Sequence, residues 1–200
     1  LREVLGDEDG GWAAEVFTVT PHGTFEHGSS TLQLLADPAD PARLADVRRR
    51  LFEARATRVG PARDDKVVAA WNGLAISGLV DAGLLLDEPS YVDAALAAAR
   101  LLRDVHLRDG RLLRVSRDGV AGVHAGVLED YGCVAAGFLK LVEATADPAW
   151  LTLAGELLEV ALTRFRADDG GFHDTADDAE RLVTRPRDPG DNASPSGLSA

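Results

Sequence analysis

Two kinds of helical pattern alternate along the chain. Segments 41–58, 89–106 and 148–165 are amphipathic, and each opens on an acidic residue followed by proline: Asp40-Pro41, Glu88-Pro89 and Asp147-Pro148. The carboxylate can cap free N–H groups, and proline at the first helical position gives up no hydrogen bond. Between them, "NGLAISGLVDAGLLL" (72–86) and "YGCVAAGFLKLVEA" (131–144) are apolar nearly all round, which predicts helices buried on most sides.

Both kinds repeat at one spacing. Pro89 and Pro148, Tyr91 and Trp150, Gly73 and Gly132, and Gly78 and Gly137 are each 59 positions apart. A glycine inside a helix costs about 1 kcal/mol relative to alanine, a cost that makes sense where neighbouring helices approach closely. A third inner helix is expected from Ser194 as N-cap and Pro195 at its first position. Short extended segments follow the outer helices at 110–117 and 170–178, and "EVFTVT" and "STLQLL" near the start also read as strands.

Apolar inner helices enclosed by capped amphipathic outer ones define an all-α (α/α)6 toroid with short β-hairpin loops. The chain supplies about half of the ring. The expected organisation is an opening segment with short strands (1–38), a first hairpin (40–87), a second (88–147) and a third, cut short (148–200), all within one domain. The opening at Leu1 and the lack of any methionine lead us to expect a piece of a longer protein. Uncovered helix flanks at the ends of a half ring favour self-association, because large exposed apolar patches are unusual on monomers.

Charge narrows the partners. A net charge of −12 argues against a nucleic acid or an anionic membrane; no run of about 18 apolar residues appears, and no signal-peptide pattern opens the given sequence, which leaves a segment ahead of Leu1 open. The single cysteine, Cys133, excludes an intrachain disulfide and fits a reducing, cytoplasmic setting. It lies among apolar residues, where it reads as packing. The acidic loop "ADDGGFHDTADD" misses the spacing of a calcium-binding loop, and "GVAGVHAG" is not a dinucleotide fingerprint. No metal or cofactor is expected.

The chemistry concentrates at the starts of the inner helices. In such a ring these N-termini converge on one mouth, where free N–H groups favour polar or anionic groups. Asp64, Asp65 and Lys66 precede Trp71-Asn72; Glu129-Asp130-Tyr131 opens the second inner helix; Ser194 and Ser196 open the third. Asp65, Glu129 and Asp130 are the candidate acid/base groups, with Asp64 either raising the pKa of its neighbour or pairing with Arg63 or Lys66 in a loop. One carboxylate of the Glu129-Asp130 pair can instead cap its helix. Trp71 and Tyr131 are candidate stacking platforms for a sugar ring, or rim aromatics of the core. Asn72 and Lys66 would bond ligand hydroxyl or carboxylate groups. Ser194 and Ser196 read as caps, since no Ser-His-Asp arrangement is local. Asp65 and Glu129 are expected to face each other at a separation suited to glycoside chemistry, about 5–5.5 Å or about 6.5–9.5 Å.

"RDDKVVAAWNGLAISGL", "VLEDYGCVAAGFLKL", "ADPAWL", "GGFHDT" and "DNASPSG" together resemble the YyaL-like, spermatogenesis-associated thioredoxin-domain proteins, and "GTFEHGSSTLQL" resembles the segment before them. The resemblance runs over nearly the whole chain. It implies a parent protein with a thioredoxin-like domain outside this chain, and a toroid similar to six-hairpin glycosidases and sugar 2-epimerases. Those epimerases move protons with histidines; of the five here only His124 lies near a pocket motif. The expected activity leans to a carbohydrate-active enzyme acting on a saccharide. The alternative is a non-catalytic ligand-binding or structural module of a redox-linked protein.

Overall fold

The proline-led helices form where their caps place them. In the computed structural model, which describes residues 1–191 and 193–200, the helices are α1 (Arg2–Val16), α2 (Pro41–Ala56), α3 (Ala69–Leu85), α4 (Pro89–Leu101), α5 (Leu128–Thr145) and α6 (Pro148–Arg164). Asp40 accepts from Arg43 N at 2.9 Å and Asp147 from Ala149 N at 2.9 Å, so two of the three acidic residues act as N-caps. Glu88 makes no such bond. Asn192, within the "DNASPSG" motif, lies outside the described residues. No helix among the described residues is long and apolar enough to cross a membrane.

The chain divides into two units, Leu1–Arg63 and Asp64–Ala200, so the segment expected to be the first hairpin is shared between them. In the first unit α1 packs on α2 around Leu5, Ala13, Phe17 and Val47. Arg43 and Arg50 both reach Asp9 at 2.7 Å, and these two guanidinium groups hold its carboxyl below the usual range. The strands expected in this opening segment are absent. "EVFTVT" is the end of α1 and a turn, and "STLQLL" has no regular structure. The helix formed there instead bends at Gly6, whose φ of 80° interrupts it. Five acidic residues and three glycines gave α1 a weak helical pattern; burial of Leu5 and Ala13 against α2 overrides it.

In the second unit α3 and α5 pack along each other, with α4 against α3 and α6 against α5. The inner pair is parallel, because contacts advance together along both helices. The Asp130 carboxylate accepts from Ala70 N, a Cβ on Gly73 would meet the Cys133 backbone, one on Gly137 would meet Ile76, and Lys140 reaches Asp81 at 3.0 Å. Starts at 69 and 128, and at 89 and 148, keep the offset of 59. Phe138 packs on Trp150 with ring centroids 5.1 Å apart, which anchors α6 to the inner layer.

Strands join this layer to its loops. Antiparallel β2 (Leu107–Arg108) and β3 (Arg111–Leu112) flank Asp109-Gly110, and β4 (Val115–Arg117) and β5 (Val120–Ala121) flank Asp118-Gly119. Both residues of each pair have positive φ, as a two-residue hairpin turn of matching twist requires. β1 (Val67–Val68), just before α3, pairs with β4 in the register Val67–Ser116. The strand expected at 170–178 reduces to one bridge, Arg166 to Phe172. The third inner helix does not start at Ser194. One turn opens later, where Ser196 O accepts from Ser199 N and Ala200 N, each at 3.0 Å.

A π-helical turn, Leu102–His106, ends α4 and buries His106. Its Nδ1 lies 2.8 Å from Leu113 O, and its Nε2 lies 2.8 Å from Ser116 Oγ. The carbonyl can only accept, so Nδ1 carries the proton and Nε2 accepts from the serine. Burial pushes the imidazole below its ordinary 6.5, against the raising pull of the Leu113 carbonyl and of Asp130. A depressed pKa means the unfolded chain takes the proton first, so this contribution is complete above about pH 6.5 and is lost as pH falls. Denaturant midpoints measured between about pH 7.5 and 5.5 should therefore fall with pH, with a shallower slope in His106→Gln. Equal slopes would show that His106 does not set the dependence.

Candidate functional site

The first turn of α5 builds the site. Leu128 begins the helix, so Glu129, Asp130 and Tyr131 lie within its first turn rather than ahead of it. Asp130, at the third helical position, reaches back to Val127 N at 2.9 Å and across to Ala70 N in the first turn of α3 at 3.0 Å. One carboxylate therefore caps two inner helices. Arg114, just before β4, donates to the same carboxylate at 2.9 Å and lies 3.6 Å from Glu129 Oε2. Burial pushes the Asp130 carboxyl up, while the two N–H groups and Arg114 pull the other way.

These contacts reassign two of the expected site residues. Asp130 is 0% exposed and is held by three donors, so it organises the mouth and presents nothing to a ligand. Tyr131 is equally buried, packed on Phe165 at 5.2 Å, and its hydroxyl accepts from Leu112 N at 3.0 Å. It ties β3 to α5 and cannot act as an open stacking platform. The helix start at 128 turns both residues inward; a start at 131 would have left them on the rim.

Glu129 faces outward. It lines a cavity of about 250 Å³ together with Asp174, Asp188, Ser194 and Ser196, and its Oε1 accepts from Ser194 Oγ at 2.9 Å. Ser196 donates its backbone N–H to Asp191 at 2.9 Å, which fixes the turn that forms one wall. Three expected residues, Glu129, Ser194 and Ser196, are thus brought together.

The remaining expected residues lie elsewhere. Asp65 pairs with Arg117 Nε at 2.8 Å, on a side chain that is 67% exposed, and does not line the Glu129 cavity. The expected facing pair of Asp65 and Glu129 is replaced by two separate ion pairs, because the β1–β4 pairing carries Arg117 beside Asp65. Asp64 bonds to Lys66, which holds the Asp64 carboxyl low. That is the loop-pair reading, and it leaves Lys66 away from the cavity. Asn72 is turned back on its own helix, donating to Val68 O at 2.8 Å. Trp71 is 57% exposed on the first turn of α3. His124 lines a neighbouring cavity of about 330 Å³ with Thr175 and Glu180, separated from the first by Val127, which lines both.

Sequence reasoning missed Arg114, Asp174 and Asp188. Arg114 is unmarked within "GRLLRVSR"; only the pairing of β4 with β1 brings it to the helix starts. Asp174 is fixed by its neighbours: its backbone O accepts from Leu128 N at 2.9 Å and its carboxylate from Asp188 N at 2.9 Å. Among the described residues no group of three or more His, Cys, Asp or Glu side chains is placed to hold a metal ion.

An inner layer of parallel helices with outer helices behind it, and a polar cavity at the inner N-termini, defines an (α/α)6 toroid, of which this chain carries about half. Solved structures agree. The cellobiose 2-epimerase of Spirochaeta thermophila matches with a TM-score of 0.55 and 20% identity, over 68% of this chain and 36% of that one. The GH76 α-mannanase of Bacteroides thetaiotaomicron matches with a TM-score of 0.50 and 14% identity, over 68% and 42%. At these identities the similarity is one of fold. No family model matches the chain. In sequence it is 36% identical over 162 residues to spermatogenesis-associated protein 20 of Homo sapiens, covering 75% of this chain and 20% of that protein. The chain is a homologue of spermatogenesis-associated protein 20, and it spans about a fifth of the length of these mammalian relatives.

Proposed function

We propose that this chain forms part of a carbohydrate-processing toroid and that the Glu129 cavity is where it meets a saccharide. One observation carries the reading: Glu129, a carboxylate on the first turn of an inner helix, lines an open polar cavity and is oriented by Ser194 and Arg114. Each of its oxygens can accept more than one hydrogen bond, so both keep capacity for a ligand hydroxyl. Glu129 is the group for proton transfer, with Arg114 as the residue that positions it. A solved fold shared with an epimerase and a mannanase raises the prior for this chemistry without naming the reaction.

A specific observation favours a second reading, a non-catalytic saccharide-binding module. Of the three expected acids only Glu129 reaches the cavity, while hydrolysis with either stereochemical outcome uses two. Titration with a panel of mono- and disaccharides, neutral and amino sugars among them, followed by crystal soaking, tests both readings. Saccharide bound at Glu129, and lost about tenfold or more in Glu129→Gln, supports the site; the same titrations assayed for product separate enzyme from binder. Saccharide bound only elsewhere on the chain, or not at all, sinks the assignment.

A further inference from the structure

We infer that the ligand of the Glu129 cavity is a sugar bearing a positive charge, an amino sugar, and that phosphorylated and uronic sugars are excluded. This deepens the proposed reading and rests on it. The described lining carries three carboxylates, Glu129, Asp174 and Asp188, and no lysine, arginine or histidine. Basic residues nearby are already engaged. Arg114 bonds the fully buried Asp130 at 2.9 Å and approaches Glu129 only at 3.6 Å. Arg187 bonds Asp169 at 2.6 Å. Arg185 donates from Nη2 to the Arg164 carbonyl at 3.2 Å and to the Thr175 carbonyl, and its unpaired Nε is buried away from the cavity lining. An anionic sugar would enter this cavity facing like charge and find no fork of donors to receive it.

The acceptors have capacity for an ammonium group. Asp174 uses one oxygen on Asp188 N, and Glu129 uses one on Ser194. An ammonium group carries three donors and no acceptor. A sugar amine can therefore bridge carboxylates while the hydroxyl groups of Ser194 and Ser196, either donor or acceptor, meet the ring hydroxyls. The N–H groups at the start of α5 do not reverse this preference, because the Asp174 carbonyl takes Leu128 N and the Val127 carbonyl takes Asp130 N, which leaves the single N–H of Glu129 against three carboxylates.

Calorimetric titration of the full chain with glucose, glucosamine, a glucose phosphate ester and glucuronate holds the ring nearly constant and varies the charge. Glucosamine should bind about tenfold or more tighter than glucose, and its advantage should shrink with added salt. The two anionic sugars should not bind. Asp188→Asn should reduce the preference for glucosamine severalfold, and Asp174→Asn, whose side-chain oxygen can still accept from Asp188 N, should do the same. Circular dichroism of each variant checks that it folds. Equal binding of glucose and glucosamine, or binding of either anionic sugar, overturns the charge assignment and leaves the saccharide reading standing. Ethanolamine binding as tightly as glucosamine overturns the saccharide reading, and with it this inference. No binding by any sugar overturns both.

Discussion

Replacing Gly73 by alanine should destabilise the chain by about 3 kcal/mol. A Cβ there would lie 2.4 Å from the carbonyl carbon and oxygen of Cys133, and those are backbone atoms that no rotamer change can move. The only relief is to push α3 and α5 apart, which opens the layer around Ile76, Val134 and Phe138. For a chain of this size the expected fall in Tm is about 6–12 °C. Gly137→Ala should act in the same direction, since its Cβ would sit 2.8 Å from Gly73 O. Gly78→Ala is the control. Nothing lies within 4 Å of its Cβ position, so alanine's helix propensity should raise stability by about 0.5–1 kcal/mol. Urea denaturation of the three variants decides. If Gly73→Ala falls within about 1 kcal/mol of the parent, the two inner helices do not cross as closely as described.

That contrast also shows how far the sequence could be read. The offset of 59 located both helix layers, because a repeated unit must bury the same face each time. The acid-proline pairs located the outer helix starts, because capping is decided within one turn. Neither signal could separate Gly73 from Gly78. Both are glycines on the same inner helix, and only the crossing point, which depends on how α3 lies on α5, makes one indispensable and the other replaceable. The helix starts carried a similar ambiguity. Starting α5 at Leu128 instead of residue 131 is a small change along the chain, yet it turns Asp130 and Tyr131 from the rim into the core. Glu129, one position away, keeps its outward aspect.

The candidate site was legible in its residue types and not in its pairings. An aspartate at the start of an inner helix announces a polar end, but its partners come from Ala70, Val127 and Arg114, three places that no local pattern connects. Asp65 shows the converse. It stands ahead of α3 while Glu129 lies inside the first turn of α5, and the register of β1 on β4 pairs it with the exposed Arg117. Strand register is set by packing of alternate faces, and strands of two or three residues carry too short an alternation to reveal it.

Asp130→Ala should cost about 3–5 kcal/mol, the loss expected when one partner of a buried ion pair is removed. The substitution leaves Arg114 without its 2.9 Å partner and strips the acceptor from Ala70 N and Val127 N, at the starts of both inner helices. Asp130→Asn preserves the shape, but its amide must turn a donor toward at least one of three existing donors, so it should still cost about 2 kcal/mol or more. The two residues act as one unit. Arg114→Ala combined with Asp130→Ala should therefore be less destabilising than the two single changes added together. Glu129→Gln, one residue away and open to the cavity, should change stability by less than about 0.5 kcal/mol. Denaturant unfolding of the five variants separates a structural hub from a ligand-facing acid. A loss below about 1 kcal/mol in Asp130→Ala, or strict additivity with Arg114→Ala, would mean that the two inner helices are held together without this carboxylate, and Asp130 would return to the list of groups free to meet a ligand.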